Sequence, residues 1–304
     1  MVNNFFKIAF RNLRRRPFFS LINISGLAVG LAACWLIALF VMHERSYDRF
    51  LPDADRICAV ALDLKMGDQE GRTTNTPPPL ALRLATDFPE IELSARTFSL
   101  GSVVLRREQT GHAPLVFNEE AALAVDTAFL ELFNFPMLEG QGTTALDRPG
   151  SLVLTQKMAE KYFGSTSALG QSLMLNDRLF TISGIAKNLP SNSSLQFDFL
   201  LPMADFKVVD RFSWSWIWLQ VDTWVRLRQT PAPESLAALE AKFPAMVHAY
   251  APAAYARIGQ NFEDQLKKGD RFEVKLLPLQ NLHLGYENLS SRLNTLGDGG
   301  QVKI

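Results

Sequence analysis

The clearest hydrophobic pattern lies near the N-terminus, where residues 18–42 form a run of 25 residues without a charged side chain. As a helix rising 1.5 Å per residue, this run would be roughly 37 Å long, enough to cross a hydrocarbon core about 30 Å thick with some tilt. A signal peptide would carry a shorter apolar stretch of about 7–15 residues, followed by a small-residue cleavage site. We therefore predict one transmembrane helix over residues 18–42.

Charge is distributed unevenly on the two sides of this run. Beyond residue 42 the chain has five more acidic than basic residues. Before the run every charged residue is basic: Lys7, Arg11, Arg14, Arg15 and Arg16. By the positive-inside rule, the N-terminus is cytoplasmic and the body of the chain is extracytoplasmic. Residues 1–17 alternate apolar and basic positions and are predicted to form a cytoplasmic amphipathic segment that anchors to anionic lipid. Binding of a cytoplasmic partner is the alternative.

The apolar run also contains a small-residue face, formed by Gly26, Gly30 and Ala33. Small side chains let two helices approach closely in lipid, where packing drives association. The pattern therefore predicts a helix-packing role for these three residues. The competing interpretation is that glycine is simply common in membrane helices.

After the run, alternating apolar positions predict a strand–helix–strand unit. A strand covers 56–64, a polar loop covers 66–76, and a helix capped by Thr76 begins at Pro77. This helix buries an apolar stripe and ends before a strand over 91–98; the stripe consists of Leu80, Leu84 and Phe88.

The same order recurs near the end of the chain. A strand over 221–228 precedes a helix that begins near Pro233, and a strand over 272–277 follows it. One apolar face of this helix runs from Leu236 to Tyr250. We predict two related βαβ halves that share one sheet with their helices on a single face. Chance similarity of two amphipathic helices is the alternative.

Between these halves the pattern changes to short strands, which predicts an inserted, mainly β subdomain of roughly a hundred residues. Asp126 is expected to cap a short helix, a second helix should end at Gly164, and Asn176-Asp177 signals a hairpin. Toward its end, three tryptophans at strand spacing would face one way, either into the core or toward a contact surface: Trp214, Trp216 and Trp218.

Residues with catalytic or metal-binding chemistry are not grouped in this sequence. Cys34 lies inside the apolar run and Cys58 outside it, so the two are not expected to form a disulfide. The four histidines have no companion at metal-ligand spacing and are expected to be surface or satisfied residues, and no P-loop motif occurs. We therefore predict no catalytic residue, no metal and no cofactor, and the lack of a basic run in the body argues against nucleic-acid binding.

An ordered set of segments resembles the permease subunits of MacB/FtsX-like ABC transporters. It includes residues 6–13, 22–31 and 44–50 around the apolar run, and residues 151–155, 162–164, 190–193 and 277–284 in the body. Single residues also fit, among them Asp126, Phe129, Phe133, Leu138, Gly140 and Gly184.

This resemblance implies an α+β fold in which the transmembrane helix precedes an extracytoplasmic porter-like βαβ repeat with an inserted, mainly β subdomain. The expected parts are a first porter-like half over 43–108, the insertion over 109–213, and a second half over 214–304. Relatives continue into three further membrane helices, so the chain is expected to be an expressed segment, a gene fragment or a truncated product.

The resemblance also implies a function and partners. It implies a bacterial inner-membrane permease, itself not an enzyme, that couples ATP hydrolysis by a nucleotide-binding subunit in trans to export or extraction of a substrate. The expected assembly is a homodimer or a pseudo-dimer of permease halves in contact with membrane lipids. The alternative function is a single-span, membrane-anchored binding or scaffold module without transport activity.

Overall fold

The computed structural model describes residues 11, 14, 15, 17–165, 167–286 and 289–291. It divides the chain between Ser46 and Tyr47 into two compact units. The first unit contains the N-terminal helix, and the second contains a mixed α/β domain built on one sheet.

Helix α1 covers Pro17–Glu44 and confirms the helix predicted from the apolar run. Proline suits the first turn of a helix, whose N–H groups have no partner within the helix. None of the residues of α1 is buried. Within the part of the chain that the structure describes, α1 is the one helix long and apolar enough to span a membrane.

The second unit alternates short helices with fifteen strands. The strands are β1 Ile57–Met66, β2 Gln69–Thr73, β3 Asn75–Thr76, β4 Ile91–Ser99, β5 Val103–Arg107, β6 Leu115–Glu119, β7 Ala122–Val125, β8 Met137–Gly140, β9 Ser151–Thr155, β10 Ser172–Leu175, β11 Arg178–Ala186, β12 Phe199–Pro202, β13 Val221–Leu227, β14 Arg271–Pro278 and β15 Leu289–Ser290. The helices are α2 Pro79–Asp87, α3 Ala128–Phe133, α4 Gln156–Phe163, α5 Lys207–Arg211, α6 Pro233–Glu240, α7 Phe243–Arg257, α8 Phe262–Lys267 and α9 Leu279–Leu282, with a 3-10 turn at Met203–Asp205.

The two βαβ halves interlock in the sheet. Strand β1 pairs antiparallel with β14 on one side and with β13 on the other, and β13 pairs antiparallel with β4. The order β14-β1-β13-β4 therefore places a strand of one half between the two strands of the other, as in split βαβ folds. The predicted α+β fold, with two halves that share one sheet, is confirmed.

Both faces of this sheet are covered: the helices of the two βαβ halves lie on a single face, as predicted, and two other helices cover the opposite face. Helices α2, α6 and α7 pack on the face that carries Cys58, Val60 and Leu62. Helices α3 and α9 pack on the opposite face, against Ala59 and Ala61. Because consecutive side chains of β1 point to opposite faces and those of residues 57–62 are all apolar, both faces need cover.

The insertion continues the same sheet instead of forming a separate layer. Strand β4 pairs with β7, and the order then runs β7-β12-β9-β11-β10-β5-β6. Strand β5 pairs with β6 and β10, although the predicted limit at 108 leaves it in the first half. We therefore propose that the insertion begins near residue 100.

Local turn signals were predicted well, and local side-chain caps were not. Asn176 and Asp177 adopt positive φ angles of 45° and 65° in the β10–β11 hairpin, and Gly164 ends α4 at 69°. The Thr76 hydroxyl does not cap α2, since it donates to the Val221 carbonyl at 2.9 Å. The Asp126 carboxylate does not cap α3, since it accepts from the Arg96 guanidinium at 2.8 Å.

Three further expectations about single elements were wrong. The polar loop over 66–76 contains β2 and β3, which pair with β1 and β13. The helix that begins at Pro233 is divided into α6 and α7, and α8 follows them. The tryptophans of residues 214–218 lie in irregular structure, where Trp216 is buried and the other two are half-buried.

Candidate functional site: the junction after helix α1

The residues predicted to pack helices lie on an open surface of α1. A Cβ atom added at Gly26 or at Gly30 would have no neighbour within 4 Å, and Ala33 is exposed. Arg11, Arg14 and Arg15 are exposed as well, whereas Lys7 and Arg16 lie outside the described residues. The packing role of the small face and the anchoring role of the basic residues stay predictions.

A buried polar cluster forms directly after α1, and we call it the junction; it consists of Tyr47, Asp48, Asn192, Ser193, Ser194 and His283. The rings of Tyr47 and His283 stack with their centroids 3.4 Å apart and their planes 5° from parallel. Both side chains are buried. The stack therefore joins the first residue of the second unit to the segment that follows β14.

Asp48 connects the junction to a third segment. Its N–H donates to the Asn192 carbonyl at 2.9 Å, and its Oδ1 accepts from the Ser194 N–H at 2.8 Å. Asp48 adopts a φ angle of 58°, which aspartate tolerates better than most residues. The Ser193 hydroxyl donates to the Leu195 carbonyl at 2.8 Å and lies 3.4 Å from Asp48 Oδ1.

Burial determines the electrostatics of the junction. Asp48 is fully buried, and among the described residues its Oδ2 has no hydrogen-bond partner. Burial disfavours the charged form and raises the pKa of the Asp48 carboxyl, although the bonds from Ser194 and Ser193 and the nearby His283 oppose the rise. The Asp48 carboxyl therefore binds its proton more tightly in the junction than an exposed aspartate does.

This raised pKa predicts a pH dependence of stability. A carboxyl whose pKa is higher in the folded than in the unfolded state stabilises the fold below the unfolded pKa, and this contribution is lost as the pH rises through the folded pKa. Asp48→Asn removes the titration. We expect the free energy of unfolding of the wild type to fall relative to that of Asp48→Asn between pH 4 and pH 7, by up to about 1.4 kcal/mol per pH unit.

Urea unfolding of the full chain in detergent micelles, followed by tryptophan fluorescence at each pH, measures this difference. Asp177→Asn in the exposed β10–β11 turn is the matched control and should follow the wild type. Equal pH profiles for the wild type and Asp48→Asn would contradict the prediction.

A second charged network joins the sheet to α3. Arg226 lies 3.0 Å from Glu92 and donates to the Glu131 carbonyl at 2.8 Å, near the C-terminal end of α3. Arg56 binds Glu92 and Asp53 at 2.8 and 2.6 Å. The bond from Arg226 to the Glu131 carbonyl holds α3 on the sheet.

Reactive chemistry is sparse in the part of the chain that the structure describes. No group of histidine, cysteine, aspartate or glutamate side chains there could hold a metal ion. Both cysteines are free, and burial raises the pKa of the Cys58 thiol to about 12. His248 is exposed beside Glu263, whereas His283 is buried in the junction.

The three segments of the junction each belong to the family resemblance, but the sequence did not predict that they contact one another. Tyr47 and Asp48 follow the apolar run, Asn192–Ser194 belong to the insertion, and His283 follows the last long strand. The contacts of the junction join three segments that are distant in sequence.

Comparison with known proteins agrees with this architecture. The model of the MacB-like periplasmic core domain matches residues 20–265. Among solved structures, a domain assigned to a permease protein from Porphyromonas gingivalis aligns with a TM-score of 0.63 and 24% identity, covering 83% of this chain and 96% of that one. That similarity shows a shared fold.

Two further solved structures align less closely. One is the periplasmic region of MacB from Actinobacillus actinomycetemcomitans, with a TM-score of 0.42, 13% identity and coverage of 62% of this chain and 83% of that one. The other is the extracellular domain of the noncanonic ABC-type transporter YknZ from Gram-positive bacteria, with a TM-score of 0.43, 12% identity and coverage of 72% and 99%. Comparison with curated proteins gave no match.

Proposed function

Because the chain belongs to the family of MacB-like periplasmic core domains, which are parts of ABC-type transporter permeases, we propose that it couples ATP hydrolysis to work outside the cytoplasm. In this proposal a separate ATPase subunit hydrolyses ATP on the cytoplasmic side. The permease transmits the resulting motion to the sheet domain. That domain then exports or extracts a substrate, and the permease itself catalyses no reaction.

The junction is the observation that carries this proposal. Only Arg45 and Ser46 separate the last residue of α1 from Tyr47. Tyr47 and Asp48 are bound to the insertion through Asn192 and Ser194, and to the end of the second half through His283. In this proposal, motion that reaches Tyr47 passes to both parts of the sheet domain through these buried contacts.

The proposed orientation places the N-terminus in the cytoplasm and the sheet domain in the periplasm or outside the cell. It is supported by the basic residues before α1, of which Arg11, Arg14 and Arg15 are exposed and available to anionic lipid. A reporter that is active only outside the cytoplasm should work when fused after residue 60. Activity of a cytoplasmic reporter there would contradict the orientation.

The function is tested through the small face of α1, which we propose packs against other helices of the permease or a second protomer. Leucine at Gly26 and Gly30 would add bulk where close packing needs small side chains. We expect the double variant Gly26→Leu/Gly30→Leu to insert and fold normally, and to lose most of its stimulation of the ATPase that co-purifies with the permease. ATP hydrolysis in nanodiscs and export by cells at matched abundance are the measurements.

The matched control is Ala28→Leu/Ala32→Leu, which adds bulk at the same spacing on another face of α1. It should stimulate the ATPase as the wild type does. If the glycine variant also behaves as the wild type in both measurements, α1 is only an anchor. A single-span binding or scaffold module would then be the better description.

A further inference from the structure

Strand β14 has an open edge. Among the described residues its one strand partner is β1, in a continuous register from Cys58↔Pro278 to Lys65↔Arg271. The N–H of Leu276 donates to Glu240 Oε1 at 2.7 Å instead of to β1. Since hydrogen bonding alternates along an antiparallel pair, the peptide groups of Phe272 and Val274 also point away from β1. The outer edge of β14 therefore presents a row of backbone donors and acceptors.

A groove of about 490 Å³ lies along this edge. Residues 270–275 form one wall, and helices α6, α7 and α8 form the other. We call it the β14 groove. Apolar side chains that α7 and α8 contribute to the lining include Val247, Phe262 and Leu266. The volume is within the range of about 300–1,000 Å³ that is typical of ligand sites.

The charged side chains of the groove are already engaged. Arg271 pairs with Glu70, Lys275 lies 3.4 Å from Glu273, and the Asp270 carboxylate accepts from the Gly67 N–H at 2.8 Å. An ionic ligand would have to compete with these bonds. The groups left for recognition are the outward peptide groups of Phe272 and Val274 and the apolar side chains of the helices, since the Leu276 N–H already binds Glu240.

We propose that the β14 groove binds an extended peptide segment of a partner protein by strand addition to β14. The outward peptide groups of β14 occur at every second residue and are roughly 6.8 Å apart. The peptide groups of another strand have the same spacing along its whole length. The Glu240 carboxylate stands where a carbonyl of the added strand would accept from Leu276. An apolar side chain of the peptide would contact Val247 and Leu266.

The helices explain why the occupant is an extended segment and not a second copy of the sheet. Helices α6, α7 and α8 stand beside the edge, so an added strand must fit between them and β14. A folded domain would bring its own helices against these. The proposal goes beyond the coupling function and does not depend on it.

The test uses the full chain in detergent micelles and fluorescein-labelled octapeptides that alternate threonine with valine, leucine, isoleucine or phenylalanine. We expect at least one peptide to bind, measured by fluorescence anisotropy. N-methylation of alternate amides in one register should weaken binding at least ten-fold, and N-methylation in the other register should not. This asymmetry is specific to strand addition, because both peptides keep the same side chains.

The groove itself is tested by Ala237→Trp, which fills it from an exposed position of α6, and by the control Ala238→Trp, which is exposed on α6 but does not line the groove. Only Ala237→Trp should abolish peptide binding, and both variants should keep the melting temperature of the wild type. The proposal would be overturned if no peptide binds, or if both N-methylated forms bind equally well. It would also be overturned if Ala237→Trp binds the peptide as the wild type does. A further contradicting result would be that the chain binds no peptide but self-associates, and that Ala237→Trp abolishes this self-association. The occupant of the groove would then be a second copy of the chain.

Discussion

We expect Phe243→Asp to abolish folding of the sheet domain. Phe243 is fully buried, and its ring packs edge-on against that of Phe88, which directly follows α2, at a centroid distance of 5.0 Å. Truncation of a buried phenylalanine costs about 3–5 kcal/mol, and an unpaired buried carboxylate adds several more. Because typical domains are stable by only about 5–15 kcal/mol, the sum exceeds or nearly equals the whole stability.

Limited proteolysis and tryptophan fluorescence of the full chain in detergent measure the result. The protease-resistant sheet domain should be absent in Phe243→Asp, and Leu84→Asp on α2 should behave alike, since Leu84 is also fully buried in the same cluster. Ala249→Asp, at an exposed position of the same helix as Phe243, should leave the domain resistant. A resistant domain in Phe243→Asp would show that α7 does not hold the sheet together.

Elements with a strong local period were predictable from the sequence. Helix α1 follows from a run without charges, and α2 follows from the stripe of Leu80, Leu84 and Phe88, all of which are buried. The strands of both βαβ halves were also placed correctly, because each is either a short apolar run, as in the first part of β1, or an alternation of apolar and polar residues, as in β14. Both patterns are typical of strands.

The pairing of those elements was not predictable, because it depends on contacts between distant residues. Strands β2 and β3 are polar and half-exposed, so they have the composition of a loop and form strands only through their pairing with β1 and β13. Thr76 and Asp126 have the composition of helix caps, yet their side chains bind Val221 and Arg96. Local propensity was overridden there by tertiary hydrogen bonds.

The junction shows the same limit at the candidate site. The stack of Tyr47 on His283 joins residues 236 positions apart, and Asp48 binds Ser194 across 146 positions. No periodic pattern connects such residues. The family resemblance marked each segment separately, and only the fold shows that they meet.

Gly140 and Gly184 belong to the family resemblance, and the structure explains why glycine is needed at residue 140. Gly140 has a φ angle of 86° and pairs with Gly184 of β11. A Cβ atom at Gly140 would lie 2.4 Å from the Ser183 carbonyl oxygen and 2.8 Å from the Gly184 Cα. Both are backbone atoms in a paired strand, so neither can rotate aside as a side chain would.

We therefore expect Gly140→Ala to destabilise the sheet domain by about 3 kcal/mol or more, of which the positive φ angle accounts for about 1–2 kcal/mol and the overlap for the rest. Gly164→Ala separates the two causes, because Gly164 also has a positive φ angle, 69°, but a Cβ atom there would meet nothing within 4 Å. It should cost about 1–2 kcal/mol. Urea unfolding of the two variants in detergent measures the difference. Equal losses would mean that β8 separates from β11 at little cost, and that the approach of Gly140 to Gly184 is not needed for stability.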